Sequence, residues 1–120
     1  MKRILFLALI ALLPFLSYCQ QEISLDSVQY HVGDIVKVCA KIYGTKYLKS
    51  TKSAPTFLNA GANYPNALLT ILIWGDKRDG FTNAPEIYYN GKDLCVTGKI
   101  TLYKGKPEII VNHEDQIELK

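Results

Sequence analysis

The chain has 120 residues, 48% of them hydrophobic, and a formal net charge of +3. The roughly 100 residues that follow an apolar leader can fill one core but not two, so we expect a single domain. The sequence contains no low-complexity tract, no linker and no short repeat, which excludes a solenoid.

The first residues have the order of a secretory signal. Lys2 and Arg3 precede an apolar run over residues 4–16, as the charged and apolar regions of such a signal do. The run is too short for a permanent membrane anchor. We therefore predict a signal peptide over residues 1–19 and an exported domain over residues 20–120.

The cleavage site has two interpretations. Ser17 and Cys19 are small enough for ordinary signal peptidase, whereas the sequence LSYC over residues 16–19 also resembles a lipoprotein box. Tyr18 occupies the position where a lipoprotein box has a small residue, so we favour simple release. Lipid attachment at Cys19 is the alternative.

Cleavage changes the charge balance. Losing Lys2 and Arg3 leaves 12 basic residues against 11 acidic ones, a net charge of +1. Residues 37–106 hold 11 of the basic residues and four of the acidic ones, while both ends of the domain are acidic. A basic middle is compatible with a polyanion-binding surface and equally with a lysine-rich surface that keeps the protein in solution.

The first half of the domain predicts one helical turn and three strands. Ser24 is a suitable N-cap for a turn over residues 25–31. Residues 35–43 alternate between apolar and polar side chains, which indicates a strand with one buried face. A long exposed loop over residues 44–55 follows, and then a short strand over residues 56–59. An apolar third strand over residues 67–74 ends this half.

The second half predicts a helical connection and two more strands. A turn over residues 75–80 follows the third strand, and a helical turn is expected around Pro85 and Glu86. Residues 90–100 (NGKDLCVTGKI) resemble residues 32–42 (VGDIVKVCAKI), and they continue into a hairpin that pairs strands four and five. A terminal turn is expected over residues 114–119.

Five strands with a helical connection between the third and fourth are typical of an all-β OB-fold barrel. Residues 32–111 also resemble the small bacterial OB-fold modules found alone behind signal peptides or fused to secreted nucleases. The segments that carry this resemblance are TFLN at 56–59, YPN at 64–66, IWG at 73–75, VTGKI at 96–100 and LYKGKPEI at 102–109. The resemblance implies the barrel and a nucleic-acid-binding function, although a fold does not by itself determine function.

Two of the three cysteines are candidates for a disulfide. Cys39 and Cys95 both occupy outward positions of the first and fourth strands, which are antiparallel neighbours in an OB barrel. Such a pair can reach disulfide geometry if the two residues are not hydrogen-bonded to each other, and an exported protein meets an oxidising compartment. Two free thiols or a metal site are the alternatives.

Catalysis has little support in the sequence. The only histidines, His31 and His113, flank the first and last strands and are expected at the surface. Asp76 and Asp79 resemble part of a calcium loop, but the late bidentate glutamate of such a loop is missing. We therefore expect no enzyme activity, no metal and no cofactor.

Binding of single-stranded nucleic acid is the favoured function, because it needs aromatic rings for base stacking among basic groups that follow the phosphates. In OB-folds, the face of strands two and three and the loops joining strands one to two and four to five supply these groups. The candidates are Lys46, Tyr47, Lys49 and Lys52 in the first loop, Tyr103, Lys104 and Lys106 in the second, and Trp74, Lys77 and Arg78 after strand three.

Each candidate also has an ordinary structural explanation. Trp74 fits a core position, Tyr103 fits a position that covers the barrel rim, and the lysines could serve solubility alone. The leading hypothesis is a non-enzymatic, exported protein that binds single-stranded DNA. The alternative is a periplasmic or extracellular module that binds a small ligand, a sugar or a protein partner. A structural accessory domain of a nuclease is a third possibility.

Overall fold

The computed structural model describes residues 21–120, so the expected signal peptide and Cys19 lie outside the described residues. The strands are β1 (Gln21–Ile23), β2 (Ile35–Tyr47), β3 (Thr56–Ala60), β4 (Leu69–Ile73), β5 (Asp93–Tyr103), β6 (Lys106–Ile110) and β7 (Ile117–Leu119). The short helices are a 3-10 helix (Leu25–Tyr30), α1 (Gly75–Arg78), α2 (Pro85–Tyr88) and a second 3-10 helix (Glu114–Gln116). Within residues 21–120, no helix is long and apolar enough to span a membrane.

The strands form one seven-stranded sheet in the order β1-β2-β3-β4-β6-β5-β7. The first half of β2 pairs with β1 and β5, and its second half pairs with β3. A register shift between Ile42 and Gly44 marks the change of partner. β2 pairs with β3 at one end of this order and with β5 at the other. The strands β2-β3-β4-β6-β5 therefore form a closed ring of pairings around the core.

The core is built from the inward side chains of five strands. The alternation along β2 places Val36, Val38 and Ile42 inside with no exposed surface, and the other strands follow the same two-residue period. The remaining fully buried large side chains are Leu58 of β3, Leu69, Ile71 and Ile73 of β4, Leu94, Val96 and Ile100 of β5, Ile109 of β6 and Val111. Apolar burial of this kind is the main favourable term in folding.

The structure confirms an all-β domain but adds two strands to the five predicted. β1 and β7 have three residues each, too short to show a period of two. β2 also continues to Tyr47, so the loop predicted over residues 44–55 begins four residues later than expected. Residues 44–47 are polar, but they form a strand because they pair with β3. Residues 75–78 form α1 instead of a simple turn.

The predicted disulfide is confirmed. Cys39 and Cys95 lie directly opposite each other on β2 and β5, and their sulfur atoms are 2.02 Å apart. Both side chains point away from the core, as the alternation predicted, although Cys95 is only 8% exposed. The bond joins β2 to β5, a pairing that lies across the closed order of strands from β4.

Candidate functional site

The outward side chains of β3, β4 and β6 form a continuous surface, which we call the outer face. Alternation along each strand determines its members, since the residues between them point into the core. Lys46 extends this surface onto β2, where it lies opposite Phe57. The members on the three central strands are Phe57, Asn59, Thr70, Leu72, Lys106, Glu108 and Ile110.

One row across the outer face is apolar. Phe57 is the register partner of Leu72, which in turn is the partner of Ile110. Leu72 is only 3% exposed although it points outward. The row therefore presents a packed apolar strip with an aromatic ring at one end and Lys46 beside that ring.

The neighbouring row is polar. Asn59 pairs with Thr70, and Thr70 pairs with Glu108. Asn59 points outward but is only 7% exposed. Burial raises the pKa of the Glu108 carboxyl above its ordinary value. Within residues 21–120, the Asn59 and Glu108 side chains make no hydrogen bond. This row offers hydrogen-bonding groups that no described part of the protein uses.

The β5–β6 hairpin lies at one end of the outer face and carries the candidates Tyr103, Lys104 and Lys106. Together with Tyr64 they form a group that we call the hairpin cluster. Tyr64 comes from the β3–β4 loop and is 79% exposed, and Tyr103 is 61% exposed. The Lys106 ammonium is 5.9 Å from the Tyr64 ring centre, and the Lys104 ammonium is 5.4 Å from that of Tyr103. Exposed rings beside ammonium groups can stack on bases and attract phosphates.

The backbone conformation fixes the hairpin tip. Lys104 and Gly105 both have positive φ, 50° and 77°, as a two-residue turn of the mirror-image type requires. Lysine is an unusual residue at such a position, where asparagine is preferred. Asparagine at 104 therefore removes the charge while retaining the turn.

A second group of candidates lies at the other end of β4, and we call it the loop cluster (Lys46, Lys49, Lys52, Trp74 and Lys77). Trp74 is 38% exposed and lines an open hollow of about 600 Å³ together with Lys52, Ser53 and Asp76. The Gly75 N–H donates to the Ser53 carbonyl at 2.9 Å. A Cβ on Gly75 would lie 2.8 Å from that oxygen, so glycine permits the loop to dock against α1.

Arg78 and Tyr47 differ from the other candidates because their side chains are held by contacts within the protein. The Arg78 guanidinium donates to both carboxylate oxygens of Glu86, at 2.7 Å for the Nη2 contact, and to the Thr56 hydroxyl at 3.0 Å. It also lies 3.7 Å from the centre of the Tyr47 ring. The hydrogen bonds from Arg78 lower the pKa of Glu86. These contacts anchor α1 and α2 to β2 and β3, which is a structural explanation for both residues.

The hairpin and loop clusters lie at opposite ends of the outer face. β6 runs parallel to β4 with Thr70 beside Glu108, so Lys106 lies near the start of β4 and Trp74 follows its end. Six residues of extended chain separate these ends, a distance of about 20 Å. The sequence predicted the loops and, by analogy with OB-folds, the face of strands two and three, but it did not identify the residues of that face.

Phe57, Asn59, Tyr64 and Glu108 were missed as candidates. Phe57 and Asn59 lie in the segment TFLN, where alternation alone separates two outward residues from two inward ones. Tyr64 lies in the loop GANYPNA over residues 61–67, which has one glycine and two asparagines. Glu108 was missed because the candidates were limited to basic and aromatic residues.

Among residues 21–120, no group of three His, Cys, Asp or Glu side chains is placed to hold a metal ion. His31 contacts Asp34 at 3.2 Å near the start of β2. The Gln116 side chain accepts hydrogen bonds from the backbone N–H groups of Asn112 and His113. Both histidines therefore lie in local turn structure.

Comparison with solved structures supports the fold. The chain is similar to one in the crystal structure of yeast Stn1 and Ten1, with a TM-score of 0.58 and 15% identity, and the match covers 87% of this chain and 64% of that one. A "putative aspartyl-tRNA synthetase" from Leishmania major Friedlin gives a TM-score of 0.48 at 12% identity, covering 90% of this chain and 22% of that one, which is too low to support an argument. No protein-family model and no curated protein matches the chain. The likeness and the strand order show an all-β, OB-like fold.

Proposed function

We propose that this domain is a non-enzymatic binding protein for single-stranded nucleic acid, with DNA as the favoured ligand. We interpret β2 to β6 as the expected five-stranded OB barrel, with β1 and β7 as additions. The ligand lies along the outer face, from the hairpin cluster to the loop cluster. The observation that carries the proposal is the continuity of this face between two groups that each pair exposed aromatic rings with lysines.

The two kinds of side chain contribute in different ways. Lysines at both ends attract the phosphates, an interaction that releases counterions and is therefore sensitive to salt. Tyr64, Tyr103, Phe57 and Trp74 offer ring faces for base stacking, each stacked base being worth about 1–3 kcal/mol. A strand that spans about 20 Å can engage both clusters at once.

Fluorescence anisotropy with a labelled single-stranded DNA of about 12 nucleotides tests the proposal. A variant carrying Lys46→Ala, Lys49→Ala, Lys104→Asn and Lys106→Ala should bind more weakly. Its slope of log affinity against log salt should be shallower by about 0.7 for each phosphate that the variant no longer neutralises. The matched control carries Lys37→Ala and Lys120→Ala, two lysines beside the disulfide, because Lys37 lies two residues before Cys39 on β2 and Lys120 follows β7, which pairs with β5 at Cys95. This control should bind as the wild type does.

The rival function predicts a different salt response. A module that binds a sugar, a small ligand or a protein should respond little to salt between low and physiological concentration. No binding of DNA or RNA at low salt would contradict the proposal, as would equal weakening by the control and the four-site variant.

We also propose that the protein is exported. The Cys39–Cys95 disulfide is compatible with an oxidising compartment, and the apolar leader supplies the route. Mass spectrometry of the protein from an expressing bacterium should find a mature chain that begins at Gln20. A lipid-modified chain that begins at Cys19 would support the anchored alternative. An uncleaved chain in which both Cys39 and Cys95 can be alkylated would contradict export.

A further inference from the structure

We propose that Glu108 and Asn59 make the outer face selective among nucleobases, favouring bases that carry an exocyclic amino group, such as cytosine, over uracil and thymine. This inference rests on the proposed nucleic-acid function and adds base selectivity to it. It starts from a feature that general phosphate binding does not explain: a carboxylate in the middle of a surface with lysines at both ends.

Glu108 is the one acidic residue among the outward positions of β3, β4 and β6, all of which the structure describes. Its carboxylate makes no ion pair within residues 21–120, and burial raises its pKa. Partial burial of a polar group without a partner carries a cost. A negative charge here also repels phosphates, so neither protein stability nor phosphate affinity explains the carboxylate.

The position of Glu108 suits contact with a base edge. It shares a row with Thr70 and Asn59, and Phe57 lies two residues before Asn59 on the same face of β3. Two residues of strand span about 6.6 Å, comparable to the width of a base. A base stacked on Phe57 therefore extends its polar edge toward the Asn59–Glu108 row.

The chemistry of this row discriminates between bases. An ionised carboxylate only accepts hydrogen bonds, and cytosine presents an N4 amino donor. Uracil and thymine have a carbonyl oxygen at the same position, and two acceptors facing each other repel. The Asn59 amide can donate to the ring nitrogen next to the amino group. Discrimination by such a contact is typically about tenfold or more.

The test compares oligodeoxycytidine with oligodeoxyuridine of equal length, because these ligands differ only in the 4-substituent of the base and the adjacent ring proton. The wild type should bind the cytidine oligomer about tenfold more tightly. Glu108→Gln, which preserves the shape of the side chain, should bind the uridine oligomer more tightly than the wild type does. Its preference should fall to about threefold or less.

Lys106→Ala is the matched control on the same strand. It should weaken both oligomers equally and leave their ratio unchanged, because an ammonium contacts phosphate without reading the base. Equal binding of both oligomers by the wild type would overturn the selectivity and leave the proposed function standing. An unchanged ratio in Glu108→Gln would overturn the role of this carboxylate. No binding of either oligomer would overturn the proposed function, and the selectivity with it.

Discussion

The guanidinium of Arg78 is held on two sides, by the carboxylate of Glu86 and by the ring of Tyr47. The Arg78 and Glu86 side chains are each 18% exposed, so water screens their attraction less than it would at the surface. The pair therefore connects the helical segment between β4 and β5 to the strands that it covers.

Glu86→Gln should lower the free energy of unfolding at pH 7 by about 2 kcal/mol, the typical contribution of a hydrogen-bonded charged group. The pKa of Glu86 is lowered in the folded protein, so its contribution is present above the ordinary value of about 4.5 and is lost as pH falls through the folded pKa. The difference between the wild type and the variant should therefore shrink in acid.

Urea unfolding at pH 7 and at about pH 3 measures this change. Asp115→Asn is the control, because Asp115 is exposed and no hydrogen bond joins its side chain to the described residues. A constant difference between the wild type and Glu86→Gln at both pH values would contradict the assignment.

Local sequence rules succeeded where an element depends on its own residues. The alternation of Val36, Lys37, Val38 and Cys39 predicted β2 and the outward cysteine. Pro85 in the first turn of α2 matched the expected helical turn. β1 and β7 could not be predicted, because three residues carry no period and both strands depend on partners supplied by β2 and β5.

Replacing both Cys39 and Cys95 with alanine should lower the free energy of unfolding by as much as about 4 kcal/mol, since the bond closes a long loop in the unfolded chain. Binding to single-stranded DNA should not change, because the outer face is on β3, β4 and β6. Denaturant titration and anisotropy on the same sample separate the two effects. A large loss of affinity in a sample that remains folded would place the disulfide side in the binding surface.

The residues of the outer face are brought together by the register between strands, which the sequence alone does not reveal. Glu108 lies beside Thr70 only because β6 runs parallel to β4, and these residues are far apart in the chain. The motifs indicated basic and aromatic loops, and the structure places those loops about 20 Å apart with a specific row of side chains between them. The separation depends on the pairing of distant strands, which no local pattern encodes.

The distance between the clusters predicts how affinity depends on ligand length. Oligonucleotides too short to reach from the hairpin cluster to the loop cluster should bind weakly, and affinity should rise until both are occupied, within the range of about 4–16 nucleotides per OB fold. With a short oligomer, only one of the two variants Lys106→Ala and Lys49→Ala should weaken binding, because the ligand reaches only one cluster. With a long oligomer, each variant should weaken binding. Anisotropy across a length series measures this, and a linear increase without a plateau would contradict a defined site.

The disulfide and the outer face occupy opposite sides of one small domain, yet β2 and β5 contribute to both. Lys37 and Lys120, which lie beside the disulfide, are therefore at a distance from any bound strand. The same geometry would let a neighbouring domain attach at the disulfide side while the ligand remains accessible.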